Sequence, residues 1–349
     1  MDTLLEVKNL SVSFASNRKL LEVVSGISFT VRKGEVLALV GESGCGKSAS
    51  CLALTGLLPV PPAKISAEKI LFNGDSGTFD LTSADRRQLQ KVRGGHIAYV
   101  FQEPTASLNP VMRIGKQISE VLKLHRPELK DHKAEMISLL TQVGITSPES
   151  RLNSYPHELS GGMQQRVMIA MALAGNPELL IADEPTTALD VTVQSQILEL
   201  LDDLRKTRKM AIILISHNLG VVSRLADRIA VMYAGKIVES GSAAELLLSP
   251  AHPYTRALLG AIPVLGGKQE RLNTIPGMVP PPGAFPAGCR FCDRCEHFKT
   301  LSIELQNRCL TIQPEPIEIL TGHQVCCFSP IGEKKWKKSF LPKPDATGC

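Results

Sequence analysis

No apolar run in this sequence reaches the roughly 18 residues that a membrane span requires. The longest stretches, such as Met210–Ile215, are short and strand-like. The opening MDTLLEVKNL lacks a basic region followed by an apolar stretch, so no secretory signal is read there. If the protein acts at a membrane, another chain must supply the span. Net charge is also small: +5 over 349 residues does not call for nucleic acid, although it suits weak attraction to an anionic membrane surface. No internal repeat is found. What is present is an ordinary globular composition, 43% hydrophobic, enough for one large domain with an appendage or two modest domains.

Six of the nine cysteines, Cys289, Cys292, Cys295, Cys309, Cys326 and Cys327, crowd into a short C-terminal stretch. Clustering of this kind in a cytosolic chain points to metal or redox chemistry rather than to scattered core thiols. Cys289, Cys292 and Cys295 form C-x₂-C-x₂-C, a spacing used by iron–sulfur ligands, while four thiolates would also suit zinc. Free thiols in a small loop-rich domain are the remaining reading.

Apolar and polar residues alternate over 4–14 and 20–40, which reads as strands. Val36–Val40, Glu178–Asp183 and Ala211–Ser216 are continuous apolar runs of buried-strand type. Between them, 47–58 and 193–206 read as helices, and the stretch 65–100 reads as further strand pieces. Apolar residues recur at three- and four-residue spacing over 114–150, making 103–175 a helix-rich insertion. A hairpin is expected at 228–239, turning at Ala234-Gly235. Alternation of strand and helix implies a parallel α/β core. From Pro276 the chain is rich in Pro and Gly and reads as an irregular linker.

Gly41-Glu42-Ser43-Gly44-Cys45-Gly46-Lys47-Ser48 fits G-x-x-x-x-G-K-S between an expected strand and an expected helix. Glycines let the backbone wrap phosphate and aim N–H groups inward, and the helix N-terminus adds positive potential. Lys47 is suited to neutralise the β- and γ-phosphates and the Ser48 hydroxyl to ligate Mg²⁺. Further on, the run Leu179–Ala182 ends in Asp183 and Glu184. Strand ends of this kind gather ligands in α/β sheets. Asp183 is suited to Mg²⁺, directly or through water, and Glu184 to activating the attacking water as general base.

Leu159-Ser160-Gly161-Gly162-Met163-Gln164-Gln165-Arg166 resembles the LSGGQ signature of ABC ATPases. The order of phosphate loop, Gln102, signature, acidic strand end and His217 matches that family. The resemblance implies an ABC-type P-loop fold: an α/β core with an antiparallel β subdomain, a helical subdomain and a small cysteine-containing C-terminal extension. It implies that Gln102 touches Mg²⁺ and the attacking water. It also implies that His217 contacts the γ-phosphate, that Phe14 stacks on adenine, and that Ala188-Leu189-Asp190 crosses a dimer interface. Ser160, Gly161, Gly162 and Gln164 would then meet ATP held by the opposing subunit, with Met163 standing where the family usually has Gln.

Ser249-Pro250-Ala251-His252-Pro253-Tyr254-Thr255-Arg256-Ala257-Leu258-Leu259 resembles a stretch of ATPases in the oligopeptide, dipeptide and nickel import group. So do Ile275-Pro276-Gly277 with the cysteine module after it, and Ser107-Leu108-Asn109-Pro110. The implied function is ATP hydrolysis powering a bacterial importer of peptides, or of nickel or another small solute. The implied partners are transmembrane permease subunits, a second ATPase, preferably a different chain, and indirectly a solute receptor. The implied place is peripheral, on the cytoplasmic face of the plasma membrane. The cysteines implied as ligands of a [4Fe–4S] cluster are Cys289, Cys295, Cys309 and Cys327. The expected organisation is an ATPase domain over 1–262, an extension over 263–330 and a basic tail over 331–349. A DNA-repair or translation ATPase is disfavoured by the single phosphate loop and the ordinary insert. A regulator without turnover is disfavoured by the presence of both Glu184 and His217.

Overall fold

The computed structural model describes residues 2–16, 19–187, 189–261 and 274–331. The basic tail expected at 331–349 lies outside them apart from residue 331. The first part of the chain gives β1 (Thr3–Ser16), β2 (Lys19–Arg32) and β3 (Val36–Val40), then α1 (Lys47–Leu54). The helix stops short of residue 58 because Gly56, at φ 61°, leaves helical geometry. β4 (Ala63–Ser66), β5 (Lys69–Gly74) and β6 (Gly77–Asp80) precede α2 (Arg86–Val92) and β7 (Ile97–Val100). The strand pieces expected within 65–100 are there, and α2, started by a capping box between Asp85 and Gln88, stands between them as a helix not expected from the sequence.

The helical insert comprises α3 (Pro104–Ser107), α4 (Ile114–His125), α5 (His132–Gln142), α6 (Pro148–Arg151) and α7 (Gly161–Ala174). After it come β8 (Leu179–Asp183), α8 (Val191–Arg208), β9 (Ala211–Ser216), α9 (Leu219–Leu225), β10 (Arg228–Tyr233), β11 (Lys236–Ser242), α10 (Ala243–Leu248) and α11 (Pro253–Gly260). Among the described residues, the extension adds α12 (Ile303–Thr311), β12 (Ile317–Leu320), β13 (His323–Val325) and two short 3₁₀ turns.

Two compact units share this chain. The first takes Met1–Glu6, Thr30–Glu35 and Leu71–Ile215; the second takes Val7–Phe29, Val36–Ile70 and Ser216–Cys349. In the first unit β7, β8 and β9 run parallel, with Leu180 opposite both Ala98 and Ile212. Every residue of β8 is buried, as an apolar run covered on both faces should be. The insert packs α4 and α5 on α7, whose interior face carries Val167, Ile169, Ala170 and Leu173.

In the second unit β3 runs parallel to β10, which turns back antiparallel into β11 at Ala234-Gly235 as expected. The hairpin β12–β13 then extends this arrangement by pairing β13 with β11. β1 lies between β2 and the antiparallel β4. Glu239 on β11 is 1% exposed and anchors the C-terminal part of the unit. Its carboxylate accepts from the backbone N–H of Ala251 (2.7 Å) and of His252 (3.0 Å), and pairs with Nε2 of His323 at 2.8 Å.

Candidate nucleotide site

The phosphate loop grows out of the fully buried strand β3. Gly41, at φ 154°, has no room for a side chain: a Cβ would stand 2.2 Å from the Met232 carbonyl oxygen. Gly46, at φ 102°, caps α1 in a conformation that L-residues avoid. The loop is tied down at its far side, where the N–H of Gly235 donates to the Cys45 carbonyl at 3.0 Å. Lys47 is buried and its ammonium donates to the carbonyls of Gly41 (2.8 Å) and Glu42 (3.0 Å). Ser43 and Gly44 are exposed, and Ser48 opens α1 half-buried. Cys45 is buried, and burial pushes its thiol up despite Lys47 nearby. A thiol held protonated is a poor redox switch, which leaves Cys45 as packing.

Phe14 is half-buried on β1, opposite Ala63 of β4. His217 is exposed and directly follows β9.

In the other unit the acids sit as the sequence implies, at the end of β8. Asp183 is buried and accepts from the Tyr99 hydroxyl at 2.7 Å. Glu184 is half-buried and takes φ 45°, a left-handed conformation that a non-glycine residue adopts at some cost, as residues at reacting sites often do. Its carboxylate accepts from the Gln102 amide (3.1 Å) and from the Thr187 hydroxyl (2.9 Å). Gln102 and Glu184 are thus brought together, although 82 positions separate them. Tyr99 and Thr187 were not picked out from the sequence. Tyr99 could have been, as the one hydroxyl in an otherwise apolar strand.

Ser160 caps α7, its hydroxyl accepting from the N–H of Met163 at 3.4 Å. Ser160 and Gly161 are exposed, so the first turn of the helix presents N–H groups to the outside. Gln164 differs from its neighbours. It is buried, and its amide donates inward to the carbonyls of Pro156 (2.9 Å) and Leu159 (3.1 Å). It therefore shapes the turn before the signature and does not share the exposed face of Ser160 and Gly161. Of the loop Ala188-Leu189-Asp190, Ala188 lies outside the described residues; Asp190 caps α8 by accepting from Val193 at 2.9 Å.

Two family models match the chain: "ABC transporter" over residues 24–187, and "Oligopeptide/dipeptide transporter, C-terminal region" over 238–300. The oligopeptide transport ATP-binding protein AppD of Bacillus subtilis is 46% identical over 94% of this chain and 97% of its own length. OppD of the same organism is 49% identical over 98% of this chain and 90% of its own. The dipeptide transport ATP-binding protein DppD of Escherichia coli is 45% identical over 95% and 98%. The chain belongs to the oligopeptide/dipeptide group of ABC transporter ATP-binding proteins.

The fold agrees. The ATP-binding cassette MJ0796, solved as a dimer with ADP and Pi, superposes with a TM-score of 0.60 at 24% identity, covering 68% of this chain and 98% of that one. CbiO1 of Clostridium perfringens gives 0.59 at 29% identity, covering 70% and 91%. As an ABC ATPase the chain takes ATP with Mg²⁺ as its substrate. The described residues contain no helix long and apolar enough to cross a membrane.

What this ABC ATPase adds is its extension. Cys289, Cys292, Cys295, Cys309 and Cys327 line one cavity of about 20 Å³, with Phe291, Phe298 and Phe328. Burial pushes Cys289 and Cys327 up to about 12, and Cys292 up to about 11. Cys326 points elsewhere, its thiol donating to the Ile237 carbonyl at 3.3 Å. Among the described residues, no three His, Cys, Asp or Glu side chains are placed to hold a single metal ion.

Proposed function

We propose that this chain is the motor subunit of a peptide importer, working at the cytoplasmic face of the membrane on permease subunits that supply the spans. The observation that carries this reading is the match of 238–300 to the oligopeptide/dipeptide C-terminal region, supported by relatives named for peptide transport along almost the whole chain. The organisation follows: an ATPase domain over 1–262, the extension over 263–330, and the remaining tail.

The chemistry is divided among residues whose local geometry suits it. Lys47 neutralises phosphate charge, and the N–H groups of the phosphate loop hold the anion. Ser48, Asp183 and Gln102 carry the hard oxygen donors that would hold Mg²⁺, which when bound would offset charge on the phosphoryl group. Glu184 accepts the proton of the attacking water, held in place by Gln102 and Thr187, while His217 donates to the γ-phosphate. Phe14 stacks on adenine. Ser160 and Gly161 close on the ATP of a second ATPase subunit, a different chain, so that ATP joins the pair and hydrolysis parts it. A solute receptor delivers the peptide to the permease.

The cysteine module holds a [4Fe–4S] cluster on this reading. Support comes from the donor set: Cys289, Cys295, Cys309 and Cys327 face one apolar cavity, and thiolates are the ligands iron–sulfur clusters take. Zinc is the alternative that four thiolates also suit, and among the described residues no three such ligands converge on one point, which favours neither metal over the other. Anaerobic purification with iron and zinc analysis decides it, and a chain carrying neither element removes the cofactor from the proposal.

The transport reading is tested by tagging the chain, replacing Glu184 by Gln, and purifying from native membranes with Mg²⁺-ATP. Loss of the base should lower kcat by about 10²–10⁴-fold while nucleotide stays bound. Two multi-span chains, a second ATPase and a peptide-loaded receptor should co-purify. A receptor loaded with nickel or another solute would redirect the substrate. Recovery of soluble partners alone would overturn transport.

A further inference from the structure

Glu42 is an awkward residue for a phosphate loop. Its neighbours aim N–H groups at an anion, and it adds a carboxylate to the same loop. Like charge at short range in a partly desolvated site repels strongly, so an uncompensated Glu42 would weaken ATP binding.

The extension answers this carboxylate directly. Arg294 meets it with a two-pronged fork, Nη1 to Oε2 at 2.8 Å and Nη2 to Oε1 at 3.0 Å. Paired planar hydrogen bonds of this type are among the strongest side-chain contacts. The side chain of Arg294 is 6% exposed and is itself fixed. Its Nε donates to the Pro276 carbonyl at 2.7 Å, and its Nη1 lies 3.3 Å from the Tyr233 hydroxyl. The backbone of Glu42 is gripped as well, its N–H donating to the Tyr254 hydroxyl at 2.9 Å. Tyr254 is fully buried and packs on Tyr233 and Phe291, with ring centroids 4.6 and 5.3 Å apart. Arg294 closes the turn Cys292–Arg294, between two of the cysteines that line the cavity.

We propose that Arg294 is a positioning residue for the nucleotide: its fork cancels the Glu42 carboxylate beside the phosphates and fixes where the phosphate loop begins. The inference rests on the loop's nucleotide-binding role and is independent of what is transported.

The test is a double-mutant cycle in the full-length chain, read as displacement of a fluorescent nucleotide by ATP and by ADP. Arg294→Gln should weaken ATP about tenfold and ADP less, because repulsion grows with phosphate charge. Arg294→Lys, which keeps the charge but cannot form the fork, should recover part of that loss and fall between wild type and Arg294→Gln. In the Glu42→Gln background, Arg294→Gln should cost less than about threefold, since the charge it compensates is gone. The proposal is overturned if Arg294→Gln binds ATP as wild type does, if its loss persists undiminished with Glu42→Gln, or if lysine loses as much as glutamine. If the glutamine variant does not fold, Arg294→Lys takes its place in the cycle: its loss should be greater for ATP than for ADP and should shrink with Glu42→Gln, and a loss equal for both nucleotides or undiminished by Glu42→Gln overturns the proposal. A wild-type chain that binds neither nucleotide would sink the site assignment itself, and the inference with it.

Discussion

Gly161 has empty space where a Cβ would stand, whereas a Cβ on Gly162 would meet Val193 at 3.0 Å. Nothing inside the subunit asks residue 161 to be glycine; an aspartate there would even favour the helix, since a carboxylate suits the N-terminal end of α7. The requirement must come from what approaches the helix from outside. Gly161→Asp should therefore melt within about 2 °C of wild type or slightly above, yet lose ATP-dependent dimerisation by light scattering and nearly all ATPase activity. A variant that folds and hydrolyses ATP normally would remove the signature turn from the site. Gly41 makes the contrasting case, because its constraint is internal. With the Met232 carbonyl 2.2 Å from the would-be Cβ, Gly41→Ala must displace backbone. It should destabilise the chain by about 2 kcal/mol or more and abolish nucleotide binding; a chain that melts normally and binds ATP would refute this.

At the scale of elements, one buried carboxylate on β11 ties together the start of α11 and β13 of the extension. Glu239 serves two backbone N–H groups and the His323 ring, all out of water. Removing it leaves three buried donors unmet, a loss of about 3–5 kcal/mol by the measure of broken buried pairs. Glu239→Ala should shift the unfolding midpoint accordingly and speed amide exchange in β13 before that in β3; a change under 1 kcal/mol would show that the pairing is dispensable. Such ties explain what the sequence conceals. β3, β8 and β9 are legible because burial on both faces demands unbroken apolar runs. The phosphate loop and acidic strand end are legible because their chemistry is local. α2 escaped because only Val92 of its residues is buried, which leaves no apolar stripe to read. β12 escaped because it is four residues long and wholly exposed, too short for its Ile-Glu-Ile alternation to stand out. The fork from Arg294 to Glu42 joins residues 252 positions apart, and no local pattern announces it.

For the molecule as a whole, the question is whether the extension is an accessory or part of the ATPase. The division into compact units argues for the second, since the phosphate loop and the extension fall in the same unit. Ending the chain after Ala261 would remove Arg294 from Glu42 and Arg290 from the Ala234 carbonyl and Glu22. It would take Phe291 from its edge-on contact with Tyr233, at 5.1 Å, and strip β13 from β11. The buried Glu239 would lose its histidine partner, and two fully buried tyrosines would lose part of their cover. The truncated chain should therefore bind ATP more weakly than Arg294→Gln does, because loop positioning and the packing behind it fail together. It should also aggregate at concentrations where the intact chain stays monodisperse, because a strand edge and an aromatic cluster are uncovered. Nucleotide titration beside sedimentation of both chains separates the two views. An accessory extension leaves a monodisperse ATPase with unaltered affinity, whereas an integral one cannot be removed without disabling a phosphate loop more than two hundred residues before the cut.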